Sequence, residues 1–344
     1  MNNYPDPDGQ PNREPTAPRV GRTSPALVVV DAGVVELSEV GLSDPGPSEV
    51  TVRAEYSGIS TGTDRWVAQG RFDWGTAGFP LVPGYQKAGY VVQAGDGAQA
   101  WIGRPVFAAS ARDFIGVAAS SGGHAEYSNH PLEQVYALSG PPSPLLALGV
   151  SVQVGYNAAH RIQPDRVRRV AVIGDGVIGM SGALAALDRG FDVAVVGHHD
   201  DRLDVARQAG GTGLSGGSVA ADLAAFAPEA IIDTIQSADS FELVIHTLPA
   251  DYGQVVYSGF TPGLPDTWAS MTRLQQRSIT AHFQSGWTRE RLAKVLQTIE
   301  NDETALHQLP VSQIPADHCR QAFDDLITGA QVPLASVIRW SEHP

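Results

Sequence analysis

The stretch 56-YSGISTGTDRW-66 crowds Ser57, Ser60, Thr61 and Thr63 into a glycine-rich turn with Asp64 beside them. Hydroxyls grouped in this way suit two jobs. They can donate hydrogen bonds to an oxygen that gains negative charge during a reaction, or they can cap the backbone of their own loop. A second stretch, 81-LVPGYQKAGYVV-92, carries a phenol at Tyr85 and an ammonium at Lys87. If 85–92 is extended, the two share a face, because side chains alternate with period two, and a nearby ammonium favours the phenolate. The opposing reading leaves Lys87 in solvent and Tyr85 as an aromatic wall.

The third chemical stretch is 170-VAVIGDGVIGMSGALAALDRG-190, where Gly174, Gly176 and Gly179 have the G-x-G-x-x-G spacing. A β-branched strand precedes the motif and an alanine-rich helix follows it, which is the context a dinucleotide site requires. Gly174 permits the tight turn and Gly176 lets the backbone approach a pyrophosphate at the positive end of the helix, with Val177 and Ile178 in its first turn. Gly179 lets that helix pack close to the strand. An NAD site usually carries Asp or Glu at the end of the next strand. Here 193-VAVVGHHDDR-202 has Gly197 at that place, then His198, His199 and Arg202. Without a carboxylate to repel it, a 2′-phosphate could be held by the imidazoles and guanidinium, so NADP is expected ahead of NAD. Asp200 and Asp201 compete with that reading, and their position suits capping of the following helix.

Alternating elements must position these groups. From about 26 to 140 the chain reads as short strands between turn signals, which suggests a small, mostly antiparallel, barrel-like domain. The segment 145-LLALGVSVQVGYNAAH-160 reads as helical. From 169 onward strands at 169–174, 192–197, 229–235, 254–260 and 278–283 alternate with helical segments, implying a doubly wound parallel sheet. The spans expected are a disordered tail over 1–25, a β-rich domain over 26–150, a Rossmann domain over 151–300 and a return to the first domain over 301–344. The tail is rich in Pro, Asn, Asp and Gly and has too little apolar surface to offset the entropy of ordering.

The 344 residues are 42% hydrophobic and 17% charged, an ordinary composition for a globular protein. A formal net charge of −14 argues against nucleic acid or an anionic membrane as partner. Neither a spanning apolar run nor an apolar signal core is present in the sequence, so a cytoplasmic setting is expected. The single cysteine, Cys319, allows no internal disulfide and no four-thiolate zinc site. It shares a helical face with Phe323, Leu326 and Ile327, as a buried packing residue would. His124, His160 and His246 show no metal-ligand spacing.

The order of 46-GPSEVTVRAEYSGISTGTDRW-66, 80-PLVPGYQKAGYVVQAG-95 and 174-GDGVIG-179 resembles the medium-chain dehydrogenase/reductase superfamily, and within it the branch containing bacteriochlorophyllide a dehydrogenase. The likeness covers roughly residues 27 to 340. It implies an α/β architecture, a GroES-like β-rich catalytic domain with an inserted Rossmann domain, and hydride transfer between NAD(P) and an alcohol or carbonyl. Zinc-dependent members draw metal ligands from three places. Here those places hold Ser60 and Thr61, Tyr85, and Ala147, none a usual zinc ligand, so the implied enzyme works without zinc. By the same resemblance Thr63 takes the place of the proton-relaying hydroxyl, Tyr85 takes the place of a metal-binding histidine, and Gly259 leaves room for the nicotinamide beside Phe260.

The resulting expectation is a zinc-independent, NADP(H)-using oxidoreductase that interconverts a secondary alcohol and a ketone on a small organic or secondary metabolite. Reduction of an activated C=C bond is the alternative, and a non-catalytic cofactor-binding protein is a third reading. Family habit adds a homodimer joined through the Rossmann sheet, with 253-GQVVYSGFTPGL-264 as its edge. Trp66, Phe72, Trp74, His282 and Trp287 are candidate pocket walls.

Overall fold

A computed structural model describes residues 22–71, 78–260, 268–301 and 303–340. The chain divides into two compact units. One comprises residues 1–137, 315–331 and 338–344, and the other 138–314 and 332–337. The division falls at 137/138 rather than 150, and just past it the Ser139 and Gly140 N–H groups donate to Glu300 Oε1 of the second unit. The chain re-enters the first unit at 315 rather than 301.

In the first unit, the strand Arg22–Asp31 pairs antiparallel with Val34–Leu42. It begins inside the segment expected to be a disordered tail. Ala26, Leu27, Val28 and Val29 anchor it in the core, and Arg22 to Pro25 continue the ladder with Leu42 to Glu39. A second sheet pairs Glu49–Ile59 with Gln86–Ala94 on one side and Tyr127–Pro131 on the other. Gln86–Ala94 pairs in turn with Pro105–Ala109, and that strand with Val135–Ala137. Val50, Val52, Val91, Val106, Ala108 and Val135 fill the core beneath it, at the spacings that put alternate side chains on one face. The short helix Thr63–Ala68 follows the long strand directly. The helix Cys319–Thr328 buries Cys319, Phe323 and Leu326, as the sequence periodicity implied, while Ile327 is half-buried.

The second unit holds a six-stranded parallel sheet. Its strand order is Thr212–Leu214, Asp192–Val196, Arg169–Ile173, Ala230–Asp233, Gln254–Ser258, Thr280–Gln284. This is the Rossmann order, with ligands expected at the carboxyl ends of the strands. The three-residue strand Thr212–Leu214 is too short to show a period and was not legible in the sequence. Gln254–Ser258 is paired on both sides, so it is an interior strand. The edge is Thr280–Gln284, which corrects the edge expected over 253–264. Residues 261–264 of that span lie outside the described residues.

Candidate active site

The hydroxyl turn lies where the strand Glu49–Ile59 runs into the helix Thr63–Ala68. Ser60, Thr61 and Thr63 are half-buried, whereas Ser57 and Asp64 are buried. Asp64 Oδ2 accepts from the Ser60 N–H at 2.7 Å and lies 3.1 Å from His124 Nε2. His124 Nδ1 lies 2.9 Å from Ser57 Oγ, and Trp340 Nε1 donates to that same oxygen at 2.9 Å. The Asp64 carboxylate can only accept, so Nε2 carries the proton toward it, and Nδ1 of the neutral ring then accepts from the Ser57 hydroxyl while that oxygen accepts from the indole N–H. Trp340, Ser57, His124 and Asp64 thus form one directed chain ending on the backbone of the turn. Asp64 Oδ1 is buried and has no hydrogen-bond partner among the described residues.

No local pattern marks His124, which stands 60 residues from Asp64 and has no metal spacing. One local signal was available in Gly84, whose φ is +86°. A Cβ there would lie 2.6 Å from His124 Cδ2, so the glycine of the second run makes room for this ring.

Lys87 is fully buried and does not point to solvent. Its Nζ donates to Ala125 O at 2.7 Å and to Ser128 Oγ at 2.5 Å, and Ser128 Oγ lies 2.8 Å from His130 Nε2. Burial pulls the ammonium down from 10.5 to about 7, opposed by the charge of Glu126. Burial, with the Lys87 charge adding to it, holds His130 down at about 3. The face shared by Tyr85 and Lys87 is corrected. The strand starts at Gln86, so Tyr85 precedes it and the period-two argument does not reach it. Tyr85 is half-buried, while Lys87 turns inward to the backbone and Ser128.

In the second unit the glycine turn follows the strand Arg169–Ile173. Gly174 has φ +113°, and a Cβ there would lie 2.2 Å from Thr234 Oγ1, while a Cβ on Gly179 would lie 2.0 Å from Gly174 O. Gly176 caps the helix Val177–Asp188 without a side chain, and a Cβ there would meet nothing within 4 Å. The helix end is therefore open on the side where a pyrophosphate would lie, so these residues fit a dinucleotide. Val177 is buried and Ile178 half-buried. Gly259, φ +108°, has Ile178 Cδ1 and Gln236 Nε2 each 3.8 Å from where its Cβ would be. Phe260 follows it and is exposed.

The residues expected to hold a 2′-phosphate have other partners. Asp175, inside the glycine motif, accepts at Oδ2 from the His198 N–H at 2.8 Å and the His199 N–H at 2.9 Å, with His199 Nδ1 at 3.0 Å. Arg202 lies 3.6 Å from Asp175 Oδ1 and donates to Val332 O at 2.7 Å. Burial works to raise the Asp175 pKa, but the bonds from His199 and His198 outweigh it and hold the carboxyl below its ordinary range. Asp200 and Asp201 sit in the first turn of the helix Asp200–Gln208, where their charge suits the dipole, but the N-cap is His199 and carries no side-chain cap bond.

Among the described residues no three His, Cys, Asp or Glu side chains are grouped to hold a metal ion. Trp66, His282 and Trp287 are half-buried, each within its own unit. Phe72 and Trp74 lie outside the described residues. No helix among the described residues is long and apolar enough to cross a membrane.

Residues 46–140 match the alcohol dehydrogenase GroES-like domain. Over 159 residues the chain is 33% identical to the 2-desacetyl-2-hydroxyethyl bacteriochlorophyllide A dehydrogenase of Rhodobacter capsulatus, covering 44% of this chain and 49% of that protein. The match thus spans about half the length of that relative. Among solved structures, one described as a short chain alcohol dehydrogenase of E. coli CFT073 complexed with NADH is similar at TM-score 0.78 and 16% identity, over 93% of this chain and all of that one. A putative zinc-binding dehydrogenase of Sinorhizobium meliloti bound to NADP is similar at TM-score 0.77 and 20% identity, over the same shares. At these identities the two structures establish the fold. The GroES-like match, the parallel Rossmann sheet and the likeness to a curated dehydrogenase together support the medium-chain dehydrogenase/reductase superfamily.

Proposed function

We propose that the chain is a nicotinamide-dependent oxidoreductase that interconverts a secondary alcohol and a ketone without a metal ion. The observation that carries this reading is the turn holding Ser60, Thr61 and Thr63, which is braced from behind by the buried Asp64–His124–Ser57–Trp340 chain. Hydroxyls held in place need no reorganisation when charge appears on a substrate oxygen, and that is the condition under which such groups are effective. The nicotinamide, when bound, supplies or accepts the hydride. Thr63 is the group assigned to exchange the proton, Ser60 and Thr61 assist it electrostatically, and Tyr85 offers a phenolic donor. Lys87 leaves this set as a direct participant, since its ammonium is buried against Ala125 and Ser128.

The donor types argue against zinc. Thr61, Tyr85 and Ala147 are not ligands for a borderline-soft cation, and a catalytic zinc takes three protein ligands and a water. Turnover with NADH or NADPH should survive chelation, and the purified active protein should hold no stoichiometric metal. Metal content with chelation and add-back measures both. Thr63→Val should lower kcat by about 100-fold or more, the usual worth of a proton-transferring group. Unchanged turnover in that variant removes Thr63 from the scheme. Paired ketone and enone panels decide between carbonyl reduction and reduction of an activated C=C bond. The substrate proposed is a small organic or secondary metabolite, and the assembly proposed is a cytoplasmic homodimer.

A preference for NADP over NAD needs His198, His199 and Arg202 to be available to a phosphate. Asp175 engages the backbone of the first two, the His199 ring and the guanidinium.

A further inference from the structure

The end of the second Rossmann strand is where dinucleotide enzymes distinguish their two cofactors. A carboxylate there receives the ribose hydroxyls of NAD and repels the 2′-phosphate of NADP. In the sequence that place is Gly197 and looks uncharged. In the structure a Cβ on residue 197 would lie 2.5 Å from Asp175 Cβ and 2.5 Å from Asp175 Oδ2. The Asp175 carboxylate therefore fills the space from which an acidic side chain at 197 would start. Gly197 is the residue that leaves room for it.

We propose that Asp175 delivers from the glycine turn the carboxylate that the strand end lacks, and so makes this chain select NAD(H) over NADP(H). The proposal rests on the dinucleotide reading above and names which dinucleotide is taken. Three features support it. The two backbone N–H groups of His198 and His199, which would otherwise bind a phosphate, are both used by Asp175 Oδ2. The positive charge nearby is spent on the same group, since His199 Nδ1 lies 3.0 Å from Oδ2 and Arg202 faces Oδ1. At 3.6 Å the Arg202 contact is too long to occupy Oδ1 as a hydrogen bond, so that oxygen keeps lone pairs for a ribose hydroxyl. A phosphate arriving here would have to displace a carboxylate from its donors while lying against its charge.

The test is direct titration of the full-length protein with NADH and with NADPH by isothermal calorimetry at fixed ionic strength. The wild type should bind NADH at least about tenfold more tightly than NADPH. Asp175→Asn, which removes the charge and keeps an acceptor oxygen, should shift that ratio toward NADPH by about tenfold or more. The double variant Asp175→Gly, Gly197→Asp moves the carboxylate to the strand end and should restore the preference for NADH. A merely structural Asp175 would change both affinities together and leave the ratio alone. The proposal is overturned if the wild type binds NADPH as tightly as NADH, a result that needs no variant to fold. It also fails if Asp175→Asn keeps the native circular dichroism and the native ratio. Binding of neither dinucleotide would instead bring down the cofactor reading on which the proposal stands.

Discussion

Lys87 places its ammonium among Ala125 O, Ser128 Oγ and, through that hydroxyl, His130. Desolvation lowers its pKa from 10.5 to about 7, so between these values the unfolded chain carries a proton that the folded one has released. Stability then rises with pH across that window, by at most about 1.4 kcal/mol per pH unit, and Lys87 contributes no slope below it or above it. Denaturant midpoints of the wild type between pH 7 and 10 should climb accordingly, and those of Lys87→Met should climb less. His130, held at about 3, acts at the acid end. It must stay neutral to remain folded, so its contribution is intact above about 6.5 and is lost as pH falls toward its folded value.

At the scale of elements, two pieces of packing hold the candidate chemistry in place. The junction between the strand Glu49–Ile59 and the helix Thr63–Ala68 depends on His124, which arrives from a loop far along the chain. His124→Leu removes a donor from buried Asp64 and an acceptor from Ser57, and should cost about 2–4 kcal/mol in equilibrium unfolding. Trp340→Phe removes a donor and part of a buried ring system, and should cost about 2–3 kcal/mol. Because the residues share one chain of hydrogen bonds, the double variant should lose less than the sum of the two. In the second unit, a Cβ on Gly155 would lie 2.1 Å from Ile178 O, so the helix Gly149–Arg161 presses on the first turn of the helix that follows the glycine motif. Gly155→Ala should lower the melting temperature and weaken both dinucleotides equally, read by calorimetry. A change confined to stability would separate this contact from the cofactor turn.

For the whole molecule, the parallel sheet ends at Thr280–Gln284, whose outer side is unpaired among the described residues. Phe283 on that strand is 64% exposed. An open edge bearing an aromatic invites pairing with another strand, which is consistent with the proposed homodimer. Sedimentation velocity should find a dimer for the wild type, and Phe283→Lys should shift it toward monomer while cofactor affinity stays unchanged. A monomeric wild type would end the proposal. The net charge of −14 discourages non-specific association, so such pairing has to come from this local edge rather than from general stickiness.

The sequence by itself determined the longer elements after residue 25 and their order, because hydrophobic period and glycine spacing are local properties. The G-x-G-x-x-G turn, the alternating strands and helices after 169, and the buried face around Cys319 are each legible within a short window of chain. Only the tertiary structure decided who partners whom. Asp64 meets His124 across 60 residues, Ser57 meets Trp340 across 283, and Asp175 reaches the strand end that Gly197 left bare. Lys87 looked like a surface charge or a phenol's neighbour because a strand's pattern does not say which face is covered. Its burial follows from the strands and loops packed over it, which a local window cannot contain.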